Sequence, residues 1–280
     1  MEEQGLFTVV LLAYRSGDCI RCAVDSVLAQ TDPAVELIVI DDGSPDFFPE
    51  EITAYIEEHR GENVRRVLVL QNPENLGTVR SANRALKQAR GTYIKVLGAD
   101  DALYDSTVLS RARECLDAGG GEILVGRVVR CGPDLSPAGP FRDGFARSLP
   151  GRSPREVWRR LCIHNEIAAP GVFLTRDFFR RYGLFDERYR LLEDWPAWLR
   201  AARQGARFLY GDFYAAKYRA DTGSATGLNR DYIEDRRKTF AYEIRPYWRE
   251  LGIMRYLCAR LMLRVRNSTL VRRIYGRLFR

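Results

Sequence analysis

Histidine is almost missing from this sequence: His59 and His164 are the only two. Cysteine is sparse and scattered, at 19, 22, 115, 131, 162 and 258. Cys19 and Cys22 form a CxxC, but no second pair stands at zinc-module spacing, which argues against a structural zinc site. Their helical spacing with Ile20, Val24 and Val27 predicts core or half-buried thiols instead. No apolar run approaches the ~20 residues of a membrane span. The acidic start, Met1-Glu2-Glu3-Gln4, followed by a short run from Phe7 to Ala13, does not read as a signal peptide, so a cytoplasmic protein is expected. Internal repeats and low-complexity segments are lacking too. A Gly-rich basic phosphate loop after the first strand is also absent. Ala13-Tyr14-Arg15-Ser16-Gly17 fits one poorly, which disfavours nucleotidyl transfer.

Acid is missing from one region in particular. Residues 251–280 carry eight arginines and no Asp or Glu, a local charge of +8. The whole chain is +7, so residues 1–250 sum to −1. The basic character belongs to a tail, which points to an anionic partner at one end and away from a basic groove across the body. What remains is ordinary for a globular chain, at 46% hydrophobic and 29% charged over 280 residues. That suffices for the core of one large domain or two small ones.

Apolar strand patterns at Phe7–Leu12, Val35–Ile40, Val67–Leu70 and Thr92–Leu97 alternate with helical patterns. The helices are expected from about Asp18 to Gln30, over Glu50–Arg60, and from Asn75-Leu76-Gly77 to Gly91. This alternation is the signature of a right-handed βαβ unit with a parallel sheet. In such a sheet the strand ends at Tyr14-Arg15-Ser16, Asp41-Asp42 and Asp100-Asp101 share one rim, where open sheets bind ligands. Two adjacent carboxylates there suit a divalent metal holding a phosphate; the plainer reading is a surface turn.

Further along, a helix is expected over Leu103–Leu116 and a strand over Glu122–Val129. Residues 131–153 read as a long binding loop. A helix follows over Pro154–Ile163, then a strand over Pro170–Leu174 and a helix over Arg176–Tyr182. Glu193-Asp194-Trp195 opens another helix, Phe208–Tyr214 forms a strand, and the chain is helical from Asp231 onward. Lys95, alternating with Ile94 and Val96, is expected on a sheet face with a partner.

Several of these residues stand in the order of a known family. Val9, Ala13-Tyr14, Asp41-Asp42-Gly43-Ser44, Asn75-Leu76-Gly77, Asn83, Ala89-Arg90-Gly91-Thr92-Tyr93-Ile94 and Asp100-Asp101 resemble family 2 glycosyltransferases. Gly183-Leu184-Phe185-Asp186-Glu187, Glu193-Asp194-Trp195 and Tyr218-Arg219 with Ser224 continue the resemblance, which covers about residues 6–226. It implies an α/β fold of GT-A (Rossmann-like) type, with a mainly parallel sheet flanked by helices. Residues 1–226 would form the catalytic domain, with a nucleotide-sugar half to about 101 and an acceptor half from 102. Residues 227–280 would form a basic, helical C-terminal extension.

The resemblance further implies an inverting transfer from a nucleoside diphosphate sugar, usually UDP-linked, with Mn²⁺ or Mg²⁺. The acceptor would be a glycan or a lipid-linked molecule in surface polysaccharide assembly. By position, Asp42 matches the acid that binds the nucleobase, with Ala13 and Tyr14 lining that pocket. Asp101 matches the metal ligand, Asp100 the acid near ribose or metal, and Asp194 the general base beside Glu193. Asn75 and Gly77 belong to the donor side. Arg80 either reaches the nucleotide or is a solvated helix residue. His164 is a candidate substrate contact. Asp221, where relatives often carry histidine, is either a metal-region ligand or a turn former. Gly98 stands where many relatives have a further acid. The different-class alternative is a non-catalytic nucleotide-sugar-binding scaffold of the same fold.

In 270–280, Val271, Ile274 and Leu278 share one helical face, and Arg273, Arg277 and Arg280 the other. That is either an interfacial helix on the inner face of an anionic membrane or a helix packed on the domain. No nucleic-acid partner is expected, since no recognised nucleic-acid-binding fold surrounds the basic residues.

Overall fold

The computed structural model describes residues 3–141, 143–220 and 229–267. Strands β1 (Glu3–Ala13), β2 (Val35–Asp41), β3 (Val64–Gln71) and β4 (Gly91–Gly98) alternate with helices α1 (Cys19–Leu28), α2 (Pro49–His59) and α3 (Thr78–Leu86). They pair in parallel in the order β3-β2-β1-β4. Every residue of β2 is buried, as a strand covered on both faces requires. The pairings Ala13 with Asp41 and Leu12 with Gly98 put the three polar strand ends on one rim.

The second half changes direction. After a two-residue strand β5 (Ala102–Leu103) come α4 (Val108–Gly119), β6 (Ile123–Cys131), β7 (Pro137–Pro140), the single turn α5 (Gly144–Arg147) and α6 (Pro154–Leu161). Then follow β8 (Val172–Thr175), α7 (Arg176–Tyr182), α8 (Asp194–Arg203) and β9 (Phe208–Arg219). β8 is antiparallel to both β4 and β6, whereas β9 is parallel to β6 and antiparallel to β5. The sheet is therefore parallel in its first half and mixed in its second. The helix expected from Leu103 starts five residues later, because Ala102 and Leu103 pair with Lys217 and Ala216 of β9. The loop at 131–153 holds two short elements, and β9 runs five residues past the expected end at Tyr214.

Apolar side chains lie on both faces of the sheet. One cluster joins Val10, Ile38 and Val79 to Trp158, Phe178 and Trp198, so α3, α6, α7 and α8 cover a common face. The other joins Val9, Val24, Ile56 and Leu109 under α1, α2 and α4. Lys95 points into this interior, fully buried. Its ammonium donates to the carbonyls of Pro170 and Val172 and lies 4.7 Å from the ring centre of Phe173. Burial pulls its pKa down to about 7. The expected sheet-face lysine thus clasps β4 to the segment entering β8.

All six thiols are free. Of the CxxC pair, Cys19 is half-buried, within the expectation of core or half-buried thiols, and Cys22 is exposed, which departs from it. The C-terminal extension is α9 (Arg230–Thr239), two irregular turns, α10 (Trp248–Leu251) and α11 (Ile253–Asn267), with Gly252 breaking the last two apart. The segment 270–280 and Asp221 lie outside the described residues. No helix among the described residues is long and apolar enough to cross a membrane.

Candidate active site

One cleft of about 2200 Å³ opens along the carboxyl rim of the sheet. Tyr14, Asp42, Asn75, Asp100 and Asp101 line it from the first half, and His164, Glu193 and Asp194 from the second.

The donor side is built on the Asp41-Asp42-Gly43-Ser44 turn. Asp41 accepts the Ser44 backbone N–H at 2.7 Å and its hydroxyl at 2.6 Å. The Ser44 hydroxyl oxygen in turn accepts the Arg15 N–H at 2.8 Å, which fixes the loop carrying exposed Tyr14. Gly43 has φ +76°, and a Cβ there would fall 2.4 Å from the backbone carbon of Glu74. Asp42 faces the other way. It accepts from Leu76 N, Gly77 N and the Ser81 hydroxyl at 2.8 Å each, and from Asn72 Nδ2 at 2.9 Å. A carboxylate has about four lone-pair sites. The acid expected to bind a nucleobase thus spends its acceptors on holding the 72–81 segment.

Gly77 does not line the cleft; its φ of +88° brings it against Arg190, leaving no room for a Cβ. Ala13 is buried beside Asp41 just beneath the rim. Arg80 has the place of the solvated helix residue, the second of its two readings. It lies outside the cleft, more than half exposed, 3.8 Å from Glu187, because α3 turns that face to solvent.

The acidic pair ends β4. Asp101 is buried, and its Oδ1 accepts the Arg219 backbone N–H at 2.9 Å. The Arg219 Nε–H reaches the Asp100 carbonyl at 2.8 Å. Burial first, and then the neighbouring Asp100 charge, push the Asp101 pKa up to about 8. Two carboxylates held in this way attract a cation, and Mg²⁺ or Mn²⁺ commonly uses one or two carboxylates with phosphate oxygens completing the shell. The donor set therefore fits such a metal together with a diphosphate. Among the described residues no three-ligand cluster of His, Cys, Asp or Glu occurs. At Gly98 an added Cβ would stand 2.6 Å from Asp100 Oδ1, so the Asp100 carboxylate occupies the space a side chain there would need.

On the acceptor side, Asp194 begins α8. Trp195 Nε1–H donates to the Leu161 carbonyl at 2.9 Å and anchors that helix to α6. Asp194 Oδ2 accepts from Asn165 Nδ2 at 2.7 Å, and Oδ1 from the Trp195 backbone N–H at 2.6 Å. A helix N-terminus stabilises a carboxylate by roughly 0.3–1 kcal/mol. Burial can shift a pKa by several units at about 1.4 kcal/mol each. Burial prevails: the Asp194 pKa rises despite its hydrogen bonds. Glu193 rises as well, through burial and the Asp194 charge, and it lacks the Asn165 and Trp195 bonds that favour the anion. Burial thus raises both carboxyls, and the Asn165 and Trp195 bonds favour the anion on Asp194. His164 lines the same wall, and its Nε2 accepts from Arg266 at 2.7 Å. Burial and the guanidiniums of Arg266, Arg236 and Arg160 pull its pKa down to about 3, so it is neutral.

Two further residues tie the halves together. Asp235, buried on α9, accepts the backbone N–H groups of Arg190, Leu191 and Leu192 at 2.8, 2.7 and 3.2 Å. Arg190 donates to the Asn75 carbonyl and side chain at 3.0 and 2.5 Å, and its carbonyl accepts the Val79 N–H. Neither was a candidate from sequence. Asp235 sits in a run of charges that reads as solvated, and Arg190 in a turn without a motif.

The glycosyl transferase family 2 model matches residues 8–182. The chain belongs to that family. Among its relatives, the PGL/p-HBAD biosynthesis glycosyltransferase of Mycobacterium tuberculosis H37Rv is 26% identical over 191 residues, covering 68% of this chain and 67% of that protein. The succinoglycan biosynthesis protein ExoU of Rhizobium meliloti is 28% identical over 241 residues, covering 81% and 68%. Among solved structures, Staphylococcus aureus TarS 1–349 in complex with UDP-GlcNAc superposes with a TM-score of 0.62 at 20% identity, covering 84% of this chain and 66% of that one. Against the longer TarS chain the covered share of that protein is 39%. The mannosyltransferase PcManGT of Pyrobaculum calidifontis, in complex with GDP-Man and Mn²⁺, gives 0.60 at 16% identity, covering 98% and 79%. At these identities the structures speak for the fold, which is the expected GT-A type. The protein is a glycosyltransferase by family.

Proposed function

We propose that this family 2 glycosyltransferase moves a sugar from a nucleoside diphosphate sugar, UDP-linked in the first instance, with inversion at the anomeric carbon. The acceptor is a glycan or a lipid-linked molecule of surface polysaccharide or glycolipid assembly. The observation that carries the reading is the placement of Asp100-Asp101 and Asp194 on one cleft, from opposite halves of the domain. The biosynthetic roles that the relatives are named for support the assembly context, and the UDP-GlcNAc bound to TarS supports the donor class.

Asp101, with Asp100, would hold Mn²⁺ or Mg²⁺, which supplies positive charge to the departing diphosphate. The chain's own residues do the rest. Tyr14 and the loop held by Asp42 enclose the nucleoside. Asp194, ionised and more basic than an exposed aspartate, takes the acceptor hydroxyl proton as that oxygen attacks the anomeric carbon. Asn165 orients its carboxylate. The leaving oxygen takes the bonding electron pair, and inversion follows from attack opposite to it. Burial and the Asp194 charge disfavour a second negative charge on Glu193 beside the base.

The test is nucleoside diphosphate release from a panel of nucleotide sugars, with and without Mn²⁺. Turnover of one donor, dependent on the metal and lost in Asp101→Ala, supports the reading. No turnover of any donor, with nucleotide binding intact, would favour the non-catalytic scaffold.

A further inference from the structure

Helix α11 turns its apolar side outward. Ile253, Met254, Leu257 and Leu261 are between 48% and 71% exposed. At about 100° per residue, Ile253, Leu257 and Leu261 stack along one stripe with Met254 beside them. Arg260 lies at one edge of this stripe and Arg264 continues it one turn beyond Leu261, both exposed. The opposite face is the packed one. Ala259 is buried there, and Ala259, Met262, Leu263 and Arg266 line the active-site cleft. Tyr256 lies against Phe240 and Trp248. A helix resting on a water-soluble domain normally exposes its polar side, whereas this one carries apolar side chains on its outer face as well as on its packed one.

We propose that α11 docks the protein on an anionic lipid bilayer, with Ile253, Met254, Leu257 and Leu261 in the interface and Arg260 and Arg264 at the headgroups. Charge decides between a bilayer and a second copy of the chain. The helix and everything after residue 251 contain arginines and no acid, so two such faces would repel, whereas an anionic surface complements them. Buried at a bilayer, the four side chains leave water as an amphipathic interfacial helix requires. The cleft then lies about one helix diameter, ~10 Å, from the interface. A sugar carried on a lipid anchor reaches Asp194 without its anchor leaving the bilayer. This last consequence rests on the proposed transferase reading; the docking does not.

Sedimentation of the full chain with vesicles tests the docking. One set is phosphatidylcholine alone, the other contains about one third phosphatidylglycerol. The intact protein should bind the anionic vesicles. Leu257→Glu with Leu261→Glu should weaken this by about tenfold or more while leaving metal-dependent donor hydrolysis unchanged, since neither residue faces the cleft. Arg260→Gln with Arg264→Gln should lose about fivefold per charge on anionic vesicles and nothing on neutral ones. Undiminished binding by the double glutamate variant would overturn the assignment of α11. So would an intact protein that ignores anionic vesicles, or one that is a dimer in solution and becomes monomeric in that variant. Loss of donor hydrolysis in the intact protein would count against the transferase reading alone.

Discussion

The carboxylate of Asp235 accepts the Leu191 backbone N–H at 2.7 Å, and its bonds to the Arg190 and Leu192 amides make it the anchor of the turn that delivers Glu193 and Asp194. The C-terminal extension is therefore part of the architecture of the candidate site. Replacing Asp235 by Ala leaves three amides of that turn without their acceptor, at about 1–3 kcal/mol for each buried group left unpaired. Urea unfolding should show a loss of about 3 kcal/mol. Asp235→Asn, which keeps one acceptor oxygen, should lose less stability and still lower turnover.

Asn165 sets the charge state of Asp194. Its amide bonds the carboxylate at 2.7 Å and favours the ionised form. Removing that bond raises the Asp194 pKa further. As the proposed base, Asp194 would work only when deprotonated, so activity is expected to fall as pH drops through this pKa. Asn165→Ala should therefore move the acid limb of the kcat/KM profile to higher pH. A profile that keeps its shape while dropping uniformly would mean that Asn165 does not act through the base.

Gly43 is the tightest point of the donor loop. A methyl group there meets the Glu74 backbone at 2.4 Å and must also adopt φ +76°. Gly43→Ala should cost about 3 kcal/mol, from a strained left-handed residue plus a backbone displacement. It should also weaken nucleotide affinity, because Asn75 moves with the displaced segment. Calorimetric titration with UDP and thermal unfolding together check this.

The first half of the chain was legible because parallel strands buried on both faces leave apolar runs such as Leu37–Ile40, and acids at their ends mark the rim. The second half was less so. β5 is two residues long, and Ala102 and Leu103 form a strand only because β9 offers Lys217 and Ala216 as partners. The acids at 100, 101 and 194 were found by motif order, and the structure places all three on the cleft. Arg80 stayed open between a nucleotide contact and a solvated helix residue, because helical spacing does not say which face packs. Asp42 was found, but sequence could not show that Leu76, Gly77, Ser81 and Asn72 would take its oxygens. Asp235 and Arg190 were invisible, since their work is done on backbone amides and carbonyls that no side-chain pattern records.

Asp101 gives a prediction separable from the base. Its buried carboxylate beside Asp100 calls for a cation. Asp101→Ala should abolish the enhancement of nucleotide binding by Mn²⁺ while sparing metal-free binding. Titration of UDP with and without Mn²⁺ reads this, and an enhancement that persists in the variant would move the metal elsewhere.

The central claim is that Asp194 takes the acceptor proton. Sugar transfer by Asp194→Asn, measured alongside its UDP affinity, tests it most directly. The account predicts a loss of about 10²–10⁴-fold in transfer with nucleotide affinity unchanged. Transfer within a few-fold of the parent protein would contradict it.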